Sequence, residues 1–129
     1  MGSMQVRHEP GSAALVRRRL SDDLARNGVD AESIAEVVLV ASELVGNAVR
    51  HTSSGPLDVS WDLDPDGVTV RVADESTTLP TLRTPQDSEP GGRGLTIVAA
   101  VSDDWGAYTL GSGKRVWAHV PVRRSAPVS

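Results

Sequence analysis

Between residues 31 and 51 the apolar positions Ile34, Val37, Val38, Ala41, Leu44, Val45, Ala48 and Val49 recur at helical spacing. At about 100° per residue they fall within one broad arc, the face that a helix lays on a sheet. Glu43, Asn47 and Arg50 lie on the other side at i, i+4 and i+7, stacked into a polar ridge. Leu39 and Val40 lie on or beside that ridge, so the side carrying the polar groups is expected to be partly covered. Asn is a mediocre helix former, and neither Glu nor Asn gains from a helix interior unless its head group has a partner. The ridge therefore marks candidate chemistry, with the solvated back of an amphipathic helix as the plainer alternative.

The same patterning predicts the other elements. Ala14, Leu15, Leu20 and Leu24 suggest a first helix over residues 12–27, stopped by Asn27-Gly28. Asp30 caps the second helix, although Ser33 stands where a full capping box needs Glu or Gln. Leu57, Val59, Trp61 and Leu63 alternate with polar residues, and after the turn Asp64-Pro65-Asp66-Gly67 so do Val68, Val70 and Val72, predicting an antiparallel hairpin. Asp74 shares parity with the valines, so its carboxylate is expected on the buried face, where it needs a ligand or a donor. Residues 79–90 read as a long loop of the kind that forms lids or binding segments. Gly91-Gly92-Arg93-Gly94 is then expected as a glycine loop opening a third helix at Leu95, where backbone N–H groups can converge on an anion. A second hairpin is predicted over 105–110 and 115–122, with Val116, Ala118, Val120 and Val122 inward. These elements predict an α+β fold: a two-layer sandwich whose antiparallel sheet of about four strands or more is covered on one face by three helices.

Composition narrows the partners. A length of 129 residues predicts one domain, here residues 12–122, with a flexible N-terminal arm at 1–11 and a C-terminal tail at 123–129. Cysteine is absent, which removes disulfides and thiolate metal sites and agrees with a cytoplasmic setting. No apolar run reaches about 18 residues and no export pattern opens the chain, so no membrane contact is expected. A net charge of −4 disfavours direct nucleic-acid binding. The run Arg17-Arg18-Arg19 reads as a solvated helix face beside Asp22 and Asp23.

The polar ridge, an acid ending a buried hairpin strand, and a glycine segment opening a helix occur in this order. Together they resemble the nucleotide-binding Bergerat, or GHKL, fold shared by gyrase, histidine kinases and MutL. Glu-Leu-Val-Gly-Asn-Ala-Val-Arg-His at 43–51 is similar to that family's N box, Val-Arg-Val-Ala-Asp-Glu-Ser at 70–76 to its first glycine box, and Gly-Gly-Arg-Gly-Leu at 91–95 to its second. The wording most resembles that of the bacterial anti-sigma factors that act as serine/threonine kinases. The resemblance implies that Asn47 ligates Mg²⁺ through its side-chain oxygen, a hard donor for a hard cation. It implies Glu43 as the catalytic base, Asp74 as acceptor from the exocyclic amine of adenine, and Gly92, Arg93, Gly94 and Leu95 as the segment around the triphosphate of ATP. Asp74 would thereby select ATP over GTP.

One departure stands out. Where the first glycine box has glycines, this chain has Ser76 and Thr78, residues that tolerate positive φ poorly. Ser76 could instead offer its hydroxyl to the base edge. Two readings follow: a Mg²⁺-ATP-dependent kinase acting on an anti-sigma antagonist protein, or a non-catalytic module that sequesters a sigma factor or other partner with or without nucleotide. Related anti-sigma kinases are often dimers, which leaves a homodimer open.

Overall fold

The computed structural model describes residues 2–51, 55–74, 90–110 and 113–124, with backbone alone for 51, 90–95 and 110. Five strands and three helices follow in the order β1 Gly2–Val6, α1 Ser12–Arg26, α2 Ala31–His51, β2 Leu57–Asp64, β3 Gly67–Asp74, α3 Pro90–Val101, β4 Asp104–Leu110 and β5 Gly113–Pro121. The strands form one sheet in the order β1-β2-β3-β5-β4, with every neighbouring pair antiparallel. Placing β5 beside β3 sends the chain through α3 and the edge strand β4 before it returns to the sheet centre. The expected two-layer α+β fold is the observed one.

Alternation decides which face of the sheet is covered. Leu57, Val59 and Trp61 of β2, Val68, Val70 and Val72 of β3, and Val116, Ala118 and Val120 of β5 are all buried. The intervening Ser60, Asp62, Thr69, Arg71, Trp117 and His119 keep partial solvent contact on the open face. There Arg71 and Asp62 pair at 2.7 Å. Helix α2 lies centrally across β2, β3 and β5 between α1 and α3, while α1 reaches β1 and α3 reaches β4. Its buried residues Val37, Ala41, Leu44, Val45 and Ala48 are the predicted inward arc, and Val16, Leu20 and Leu24 give α1 a matching stripe.

The helix boundaries follow from local chemistry. Gly28 takes φ +79°, and Val29 N–H donates back to Leu24 carbonyl at 3.1 Å, closing α1 where Asn27-Gly28 predicted it. Asp30 Oδ1 accepts from Ser33 N–H at 2.7 Å, the expected cap of α2. Ser33 does not complete a capping box. Its hydroxyl instead accepts from Arg123 N–H at 2.8 Å, and Asp30 N–H donates to Arg123 carbonyl at 2.9 Å. A bridge between Val29 and Arg124 extends this seam.

Four expectations need correction. Residues 2–6 are a strand on β2, not a flexible arm: Gly2 faces Trp61 so closely that a Cβ would overlap the indole, while Met4 and Val6 pack on the core. Arg123 and Arg124 are held to the start of α2 by the seam above, so the tail does not begin at 123. Helix α3 begins at Pro90, so the glycine segment forms its first turns where a preceding loop was expected. Proline at a first helical position has a preset φ and no N–H to leave unsatisfied, which favours that earlier start. Of the two residues expected to be covered beside the ridge, Val40 is buried but Leu39 is 41% exposed. Among the described residues no helix is long and apolar enough to cross a membrane.

Candidate functional site

Glu43 and Asn47 sit on α2, the helix that packs on β3 and β5, and Asp74 ends β3. Strand parity carries Asp74 inward behind Val68, Val70 and Val72, and the residue is 7% exposed. The register places Lys114 of β5 directly opposite it, and Thr109 of β4 opposite Lys114 in turn. Lys114 is 2% exposed, and its Nζ lies 3.8 Å from Asp74 Oδ2. A buried carboxylate is costly without a countercharge, and a lysine stem threaded through the same layer supplies one.

Asn47 is 2% exposed, so its carboxamide belongs to the covered layer between α2 and its neighbours and not to the solvated ridge. It stands seven residues after the fully buried Val40, which shares its side of the helix. Glu43, one turn before Asn47, is half-buried. Arg50 is exposed and folds its guanidinium back over Gly46, where a Cβ would sit 3.3 Å from Nη1. The three ridge residues thus separate by burial, with Asn47 inside, Glu43 at the margin and Arg50 outside.

Gly92, Arg93, Gly94 and Leu95 lie in the first turns of α3, of which the backbone alone is described. The earliest amides of any helix have no intrahelical acceptor and face outward from its N-terminus. Ser76 and Thr78 lie outside the described residues. Lys114 is the residue that sequence reasoning missed. It shares parity with Val116, Ala118 and Val120, so extending that inward face by one pair would have found it.

A separate ionic cluster occupies the open face. His119 Nδ1 lies 2.6 Å from Asp103 Oδ1, and Nε2 lies 3.3 Å from Asp64 Oδ2. Burial disfavours the charged ring and is the largest single influence, yet hydrogen bonds with Asp103 and Asp64, aided by their charges, together raise the His119 pKa above its ordinary value. Asp64 is lowered chiefly by Asp66 N–H, with further help from Gly67 N–H and His119.

The fold has counterparts. A protein from Mycobacterium tuberculosis, solved as its RsbU and RsbW domains, superposes with a TM-score of 0.68 at 21% identity, covering 98% of this chain and 34% of that one. The histidine kinase AdeS of Acinetobacter baumannii superposes at 0.51 with 15% identity, over 96% of this chain and 69% of its own. In sequence, the chain is 26% identical to the serine-protein kinase RsbW of Oceanobacillus iheyensis over 117 residues, 78% of this chain and 74% of that protein. It is 27% identical to the serine-protein kinase RsbW of Listeria innocua over 122 residues, 82% and 78% of the two chains. A family profile described as a histidine kinase-like ATPase domain matches residues 6–119. The chain belongs to the histidine kinase-like ATPase domain family.

Proposed function

We propose that this chain binds Mg²⁺-ATP between α2 and the ends of β3 and β5, and transfers a phosphoryl group to a serine or threonine of an antagonist protein in an anti-sigma circuit. The observation that carries the reading is the burial of two polar side chains, the helix-interior carboxamide of Asn47 and the strand-end carboxylate of Asp74. The donor set fits: Asn47 offers a hard oxygen suited to a cation that keeps several waters, and Asp74 an acceptor for a base. Bound Mg²⁺-ATP supplies the transferable phosphoryl group, with the metal offsetting its charge.

Each side chain has a defined task. Asn47 would hold Mg²⁺ through its side-chain oxygen. Glu43, at the margin where a partner's hydroxyl can approach, takes that hydroxyl's proton as its oxygen bonds to the γ-phosphorus and the β,γ-bridging oxygen departs on ADP. Gly92, Arg93, Gly94 and Leu95 present the N-terminal amides of α3 to the phosphates. Ser76 contributes a hydroxyl to the base edge. The partners on this reading are a sigma factor or its antagonist in the cytoplasm.

Calorimetry with ATP, with and without Mg²⁺, tests the site. Asn47→Ala is expected to lose the metal-dependent increment while keeping metal-free binding, and Glu43→Ala to bind nucleotide normally but transfer no phosphoryl group. Absence of binding at millimolar ATP would overturn the proposal. It would favour the second reading, a sequestering module without catalysis, which rests on Ser76 and Thr78 standing where the family has glycines.

A further inference from the structure

We infer that the open face of the sheet, over its β3-β5-β4 half, is a docking surface for an acidic segment of a partner protein. The inference stands apart from the nucleotide site, because it concerns the side of the sheet that the helices leave uncovered. The strand register assembles this surface. Trp117 of β5 stands between Arg71 of β3 and Gly106 of β4, and in the next outward row Arg115 stands between Ala73 and Tyr108. A Cβ on Gly106 would sit 3.1 Å from the indole Nε1, so glycine lets the ring of Trp117 lie against the β4 backbone. Trp117 is half-buried there, and Tyr108 is 41% exposed. A wet sheet face needs only polar residues such as Ser60 and Thr69. Tryptophan, tyrosine and arginine side by side are instead the residue types that dominate binding surfaces.

The charges on this face decide what it receives. Its acids are already engaged. Asp62 pairs with Arg71 at 2.7 Å, Asp64 accepts from Asp66 N–H and Gly67 N–H and lies beside His119, and Asp103 lies 2.6 Å from the same imidazole. Asp58 accepts from the Gln5 carboxamide, and Asp104 from Trp105 N–H. Arg115 differs: its Nη1 reaches the Tyr108 hydroxyl at 3.4 Å, and among the described residues no carboxylate pairs with it. The uncompensated charge on the aromatic half is therefore positive, although the chain as a whole carries −4. An acidic segment brings charge-assisted acceptors to Arg115 and an apolar side chain to the plane of Trp117, whereas a basic segment meets like charge at Arg71 and Arg115.

The three tryptophans supply the test. Trp61 is enclosed in the core and Trp105, opposite the inward Ala118, packs against the core from the helix-covered side, so of the three Trp117 is the one on the open face. Amide and indole N–H correlation NMR spectra of the full chain are followed during titration with the peptide Glu-Glu-Leu-Glu-Glu and with its counterpart Lys-Lys-Leu-Lys-Lys, the indole signal being assigned by its loss in Trp117→Phe. The acidic peptide is expected to shift the Trp117 indole and the amides of Arg71, Arg115 and Tyr108, leaving the Trp61 and Trp105 indoles in place. Arg115→Gln is expected to weaken that binding at least about fivefold, the loss of one charge-assisted bond. The same spectra show whether the variant is folded, and the comparison of the two peptides on wild type decides the matter even if it is not. A Trp117 signal unmoved by the acidic peptide at millimolar concentration overturns the inference, as does an equal response to the lysine peptide or undiminished binding by folded Arg115→Gln. A Trp117 signal that moves with protein concentration in the absence of peptide gives the face to a second copy of this chain and overturns it as well.

Discussion

Trp61 of β2 donates its indole N–H to Asp23 Oδ2 of α1 across 2.7 Å, joining the sheet to the first helix through an otherwise enclosed ring. Asp23→Ala leaves that buried N–H without its acceptor and is expected to lower stability by about 1–3 kcal/mol. Asp23→Asn retains an oxygen and should lose less. Urea midpoints of the three proteins check the order.

His119 makes stability depend on pH near neutrality. Its folded pKa is raised, so its contribution is complete below the unfolded value of about 6.5 and disappears as pH climbs through the higher folded value. Asp64 works in the opposite direction: its lowered pKa gives a contribution present above the ordinary carboxylate value and lost as pH falls through the folded one. His119→Gln is expected to remove the decline on the alkaline side. Denaturant midpoints between about pH 5 and about pH 9 should show wild type exceeding the variant most at the acidic end of the neutral range.

Two glycines should respond oppositely to alanine. Gly46 lies inside α2, where alanine is favoured by about 0.5–1 kcal/mol, and the atoms nearest to an added Cβ belong to the far end of the exposed Arg50 side chain. Gly46→Ala should therefore raise the melting temperature. At Gly67 a Cβ would overlap the Val120 carbonyl oxygen, which the sheet register fixes in place. Gly67→Ala should cost about 1–3 kcal/mol, read from the same melts.

The Asp74–Lys114 pair gives a stability prediction independent of any ligand. Removing one member of a buried ion pair costs about 3–5 kcal/mol, whereas replacing both by neutral groups of similar volume is far milder. Asp74→Ala should therefore be severely destabilised, and Asp74→Asn combined with Lys114→Met should recover most of the loss. A denaturation double-mutant cycle measures the coupling.

Regular alternation made most of the fold legible before any coordinates. The β2-β3 hairpin, the inward face of β5 and the buried arc of α2 all follow from spacing, because burial on one face imposes a period that the residues cannot conceal. Strand β1 carried too little of that signal: five residues with only Met4 and Val6 as apolar inward positions look like an arm until β2 offers them an edge. Asn47 was visible because a carboxamide is conspicuous among valines and leucines. Lys114 was not, since a lysine in a strand is ordinarily assigned to the wet side, and only its opposition to Asp74 shows why it lies inside. The start of α3 was misplaced because glycine lowers helix propensity in any sequence reading, whereas tertiary context decides how far a helix extends.

Arg123 ties the point where the sheet releases the chain to the first turn of α2, through Ser33 Oγ and Asp30 N–H. The helix bearing Asn47 is consequently anchored at the end remote from its own carboxamide, like a beam clamped at one support. Asn47 lies about 24 Å from that support along the helix axis, so its own position is set by the packing of α2 on the sheet.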